Sequence, residues 1–281
     1  MNQVVKSILS VRTACIFLLA VGTTWTAAAE SGNREEQLPD IIVVHHPDAP
    51  KSEQEAIVIL PGFGDKRGRR MKQKKYFEQT EYDLYIPNYR DRQSVDGCVE
   101  KLHTFYEAHD LKSYKKVHVF SYILGSWVLN KYIEKYGKGN IASIVYDRSP
   151  LQERAPQVIV DRIPLIGKIL KGPVLKDMST IAYPPIPPDG IRMGILVESK
   201  ATTLIKVFRK KAMSYGPIDW HHLDFNQEAS DQIFIWLNHD QLYSRFDVVG
   251  QDILHFIEHG QFTSTARREP YDWDVFKRYR E

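Results

Sequence analysis

The run Lys115-Lys-Val-His-Val-Phe-Ser-Tyr-Ile-Leu-Gly-Ser-Trp-Val-Leu-Asn130 changes hydrophobic period part-way along. Val117, Val119 and Phe120 read as a buried strand, and Trp127, Val128, Leu129 and Tyr132 read as a buried helical side. Between them Ser121 to Ser126 leaves room only for a tight turn. Working outward, residues 56–60 (Ala-Ile-Val-Ile-Leu) form an uninterrupted apolar run, as in strands covered on both faces. Residues 82–86 and 141–146 read as further strands. Val95, Cys98, Val99, Leu102, Phe105 and Tyr106 make the stripe of a crossover helix. Sheet character returns at 191–198 and 232–237, and 41–44 suits an edge strand. The alternation predicts an α/β fold: a mostly parallel central sheet flanked by helices, with right-handed crossovers.

Residues 121–125 occupy the positions of the Gly-x-Ser-x-Gly nucleophile elbow, which presents one hydroxyl above the sheet at a strand-to-helix turn. On this match the chain resembles the lipase- and esterase-like α/β-hydrolases over about residues 41–262. Ser121 takes the first Gly position, Ile123 that of the nucleophile, Leu124 the next and Gly125 the last. Shifting the register by two makes Ser121 the nucleophile, but puts β-branched Val119 and Ile123 where the turn favours glycine.

The resemblance carries further expectations. After the strand at 56–60, Pro61-Gly-Phe-Gly-Asp65 corresponds to the Gly-containing oxyanion loop, implying the backbone N–H groups of Phe63 and Leu124 as donors. The triad order of nucleophile, acid, His points to Asp219 in Gly216-Pro-Ile-Asp219 as the acid and to His239, after the last strand, as the base. Asp224 and Asp240 compete for the acid, and His221, His222 and His259 for the base. The amphipathic stretch of Val248, Val249, Ile253, Phe256 and Ile257, ending in Gly260-x-Phe262, resembles the family's closing helix.

Ile123 offers neither a lone pair nor a transferable proton, so no acyl-enzyme forms there. The expectation is a pseudoenzyme that binds a lipid, an acyl or ester-like small molecule, or a protein partner, without hydrolysis. The alternative is an active carboxylic ester hydrolase using Ser121, Ser126 or water activated by His239.

At 281 residues the chain suits a single core. Residues 1–29 combine Lys6 and Arg12, an apolar run over 14–21 and Ala27-Ala-Ala29, the pattern of a secretory signal peptide, with 30–281 as the mature domain. The apolar run is shorter than the ~20 residues of a spanning helix, so no transmembrane span is expected after cleavage. Two of the 38 basic residues and none of the 35 acidic ones lie in that segment, leaving a nearly neutral domain with no nucleic-acid signature. Cys98 is then the single cysteine, excluding an internal disulfide, and no His/Cys spacing suggests a metal site or a cofactor. Lys66, Arg67, Arg69 and Arg70 open a basic run that suits an anionic surface or the solvated face of a helix. Residues 149–190, with eight prolines from Pro150 to Pro188, cannot be one helix; the resemblance implies a lid-like insertion here, and a structural loop packed on the sheet edge is the alternative, while 263–281 is a charged tail.

Overall fold

The computed structural model describes residues 38–148, 154–162, 164, 172–180, 183–184, 190–216 and 229–277. The segment 1–29, Asp219, His221, His222, Asp224, parts of 149–190 and the last four residues lie outside the described residues.

The sheet has seven strands: β1 (Ile41–Val43), β2 (Glu55–Leu60), β3 (Asp83–Ile86), β4 (Lys116–Ser121), β5 (Ile141–Arg148), β6 (Arg192–Glu198) and β7 (Asp231–Ile235). Their spatial order is β1-β3-β2-β4-β5-β6-β7. Only β1, paired with β3 at one edge, runs antiparallel. The described helices are α1 (Arg67–Phe77), α2 (Val95–Ala108), α3 (Ile123–Tyr136), α4 (Ala155–Arg162), α5 (Val174–Thr180), α6 (Thr203–Val207), α7 (Arg209–Met213), α8 (His239–Leu242) and α9 (Phe246–His259).

Strand residues alternate between two apolar layers. Val58, Val119, Ile144 and Val197 join Val99 and Leu102 of α2 and Val128 and Leu129 of α3. Ile57, Phe120, Val145 and Leu196 join Phe77 of α1 and Val249, Ile253 and Phe256 of α9. Both sheet faces are covered, which is why β2 reads as a continuous apolar run rather than an alternating one.

Helix α3 packs against the sheet with little space between them. A Cβ on Gly125 would lie 2.3 Å from the Leu60 carbonyl oxygen, so only glycine lets the helix start so close to β2. In the 149–190 insertion, α4 and α5 are short helices, consistent with its prolines.

Candidate functional site

The loops that matter leave the carboxyl ends of β2, β4, β5, β6 and β7, the edge at which open α/β sheets carry their ligands. After β2, the 61–65 loop is fixed from several sides. The Gly62 N–H donates to the Tyr243 hydroxyl oxygen at 2.9 Å, and the Tyr89 hydroxyl donates to the Pro61 carbonyl. Tyr243 stacks on Tyr122 with ring centroids 3.8 Å apart and planes 4° from parallel. A Cβ on Gly62 would lie 2.6 Å from the Tyr243 hydroxyl oxygen, so this packing requires glycine there.

After β4, Tyr122 is extended (φ −81°, ψ 168°) and the chain passes directly into α3 at Ile123. Ile123, the first residue of α3, lines a cleft of about 300 Å³. Leu124 and Phe63 line the same cleft. The Leu124 amide lies in the first helical turn, where N–H groups have no intrahelical acceptor. A Cβ on Gly62 would come within 3.8 Å of that nitrogen, so the 61–65 loop lies against the start of the helix.

His239 begins α8 just beyond β7, where Asn238 caps the helix by accepting from the Gln241 N–H at 3.0 Å. Its ring also lines the cleft. Its Nδ1 lies 2.9 Å from Oδ2 of Asp147, near the end of β5, and 3.4 Å from Oε1 of Glu198, the last residue of β6. Both carboxylates are fully buried, and the ring side chain is 13% exposed. The contact is ionic: among the described residues, Nδ1 and the four carboxylate oxygens have no well-aligned hydrogen-bond partner.

Burial works against a charged His239, but the Asp147 charge and then Glu198 override it and raise its pKa to about 10. Burial, and then the neighbouring Asp147 charge, hold Glu198 well above the usual carboxylate range. The cluster therefore retains protons at neutral pH, with the imidazole as a cation. The three ligand atoms lie within 4.8 Å of one another, a spacing that brackets a cation as well as a proton. The imidazolium already supplies that positive charge.

The rest of the cleft has two chemistries. Pro156 and Ile159 of α4, Leu175 and Met178 of α5, and Leu204 of α6 form an apolar wall. Lys66, Arg69 and Asp240 also line the cleft. Arg69 Nη1 donates to the Gly64 carbonyl at 2.8 Å, its guanidinium lies 4.9 Å from the Tyr243 ring centroid, and Asp240 is 3.5 Å away.

Arg70 corrects the expectation of a surface cation. It is 1% exposed, pairs with buried Asp65 at 2.6 Å and donates to the carbonyls of Pro39, Ile86 and Pro87. It faces inward with Gln73 and Phe77, at helical spacing on the buried side of α1.

No protein-family model and no curated protein matches the sequence. Among solved structures the chain is similar to the Bacillus licheniformis lipase BlEst2 in mature form, at 12% identity and a TM-score of 0.54, over 80% of this chain and 98% of that one. It is also similar to a structure from work on the metagenome-derived lipolytic enzymes LipS and LipT, at 7% identity and a TM-score of 0.50, again over 80% and 98%. The fold is that of the α/β-hydrolases.

The turn from β4 into α3 has no residue of positive φ. A nucleophile elbow is a sharp, strained turn. Among the described residues the only non-glycine with positive φ is Asp110, far from the turn. The alternative hydroxyls do not reach the cleft. Ser121 and Ser126 are both fully buried, and the Ser126 hydroxyl donates back to the Ile123 carbonyl at 2.9 Å.

Asp147 and Glu198, the acids that meet His239, were not among the sequence candidates. Each is a lone acid closing an apolar strand, Ile-Val-Tyr-Asp147 and Ile-Leu-Val-Glu198, and that pattern was the available signal. Asp240 lines the cleft but pairs with Arg69, not with His239. His259 sits at the end of α9, with Glu258 as its ionic contact.

Proposed function

We propose that this protein is a non-hydrolysing member of the α/β-hydrolase fold that holds an acyl or ester-like small molecule in the cleft between the 61–65 loop, α3 and the insertion helices. One observation carries the reading: Ile123, which the sequence match aligns with the nucleophile, lines the same cleft as His239. A hydrocarbon there removes covalent catalysis and adds apolar surface. The buried positions of Ser121 and Ser126 argue against a substitute nucleophile, and a protonated His239 is a poor base for activating water. The volume suits a small molecule, lying near the lower end of the roughly 300–1,000 Å³ typical of ligand pockets. The apolar faces that α4 and α5 turn to the cleft support a lid-like role for 149–190, and the 1–29 pattern supports export as a mature domain from residue 30.

A fluorophosphonate, which is trapped by an activated serine, tests this. Wild type should stay unlabelled, while Ile123→Ser should label at alkaline pH and lose labelling when His239→Ala is added. Labelling of wild type sinks the reading, because some other hydroxyl would then be activated. Secretion that depends on residues 1–29, with a mature N-terminus near residue 30, tests the export part.

A further inference from the structure

An ester group is neutral, yet the polar part of this cleft's lining is built of cations. Lys66 lies at the head of α1, is exposed, and has no acidic partner among the described residues. Arg69 is held in place by the Gly64 carbonyl and the Tyr243 ring, which orients its guanidinium before any ligand arrives. His239 joins them in the lining as an imidazolium backed by Asp147. Among the described residues Asp240 is the single acid in the lining; its side chain is 58% exposed and its contact with Arg69 is a loose 3.5 Å. Lys66 is therefore not neutralised by the lining itself, whereas the charge of His239 is balanced by Asp147 behind it.

In an ester hydrolase the imidazole must be free to accept a proton, and cations facing the ester contribute nothing to a neutral ground state. For a bound anion the same groups are favourable: charge-assisted hydrogen bonds to a carboxylate are roughly twice as strong as neutral ones. The apolar residues of the lining, with Thr202 among them, offer no charge of their own. The cleft thus combines cationic and hydrocarbon lining, as an amphiphile requires.

We propose that the cleft binds the free carboxylate of a single-chain fatty acid, with the head at Lys66, Arg69 and His239 and the chain against Ile123, Ile159, Leu175 and Met178. This rests on the cleft being a ligand site without a nucleophile. It replaces the ester of that reading with the acid that ester hydrolysis releases.

Calorimetric titration of the mature protein with dodecanoate, methyl dodecanoate and dodecyl phosphate, each below its micellar concentration, is the test. Dodecanoate should bind about tenfold or more tighter than its methyl ester. That ratio should fall toward one in Lys66→Gln/Arg69→Gln, and part of the way in Lys66→Gln alone, an exposed substitution that spares the fold. Raising the salt should lower the same ratio. Equal binding of acid and ester by wild type overturns the carboxylate assignment while leaving an acyl site in place. Tighter binding of dodecyl phosphate than of dodecanoate overturns it in favour of a phosphate head. If none of the three binds, the ligand reading falls together with the carboxylate.

Discussion

The Nδ1 of His239 sits 2.9 Å from Oδ2 of Asp147, a carboxylate with no exposed surface, and Glu198 closes the other side at 3.4 Å. Three ionisable groups thus share a buried volume at the ends of three different strands or their loops. They carry more acid than base, so the cluster is most stable when it holds protons.

Stability should therefore fall in alkali. A His raised from 6.5 to about 10 contributes stability that is fully present below pH 6.5 and lost as the pH rises through about 10. Glu198, also raised, acts in the same direction. Urea midpoints measured from pH 6 to 10 should drop across that window, and His239→Gln should flatten the drop. At pH 7 that substitution should cost about 3 kcal/mol, the low end for breaking a buried pair.

The same cluster sets the pH at which a restored hydroxyl works. Ile123→Ser should label with a fluorophosphonate faster as the pH rises toward 10, because only neutral His239 accepts the proton. Adding Glu198→Gln removes one acid from Nδ1 and should shift the labelling profile to lower pH. Labelling of Ile123→Ser that is flat between pH 7 and 10 would show that His239 is not the group involved.

Asp65 and Arg70 anchor the end of the 61–65 loop. Their pair at 2.6 Å is buried, and the guanidinium also accounts for the Ile86 and Pro87 carbonyls at the end of β3. Arg70→Met should cost about 3–5 kcal/mol, because it leaves a buried carboxylate with only the more distant Arg90, at 3.9 Å. The double substitution Asp65→Leu/Arg70→Met should recover part of that loss in denaturant melts. A double variant no more stable than the single one would show that the backbone carbonyls, not Asp65, are the partners that matter.

Two glycines should respond to alanine in opposite ways. At Gly125 the new Cβ meets the Leu60 backbone oxygen at 2.3 Å, so Gly125→Ala should destabilise by about 1–3 kcal/mol and disturb the cleft. At Gly68, within α1, nothing lies within 4 Å, so Gly68→Ala should stabilise by about 0.5–1 kcal/mol. Thermal melts of the two variants check both signs.

Much of this was legible in the chain. The apolar runs of β2, β4 and β6 announced strands buried on both faces, and the change of period after Phe120 located the turn and put Ile123 in the cleft. The place of His239 after the last strand was legible. Its contacts with Asp147 and Glu198 were not, because they join residues 92 and 41 positions apart that no local pattern encodes. Arg70 misled for the opposite reason. It lies in a run of exposed cations, and only the helical spacing to Gln73 and Phe77 marks it as inward-facing. Asp219, the acid suggested by resemblance, lies outside the described residues, whereas Asp147 and Glu198 already occupy the acid side of His239.

The parallel stack of Tyr122 on Tyr243 has a consequence for selectivity. Tyr243 also receives the Gly62 N–H and lies beneath the Arg69 guanidinium, and Tyr122 is braced by Gln73 at 3.1 Å. These contacts hold the Arg69 guanidinium and the 61–65 loop in place, so on the proposed reading a ligand spends little free energy on ordering the polar groups. Discrimination by length or branching would then fall to α4 and α5, whose small, separate apolar contacts can be retuned residue by residue. On that reading recognition divides into a fixed part that chooses the head and an adjustable part that measures the chain.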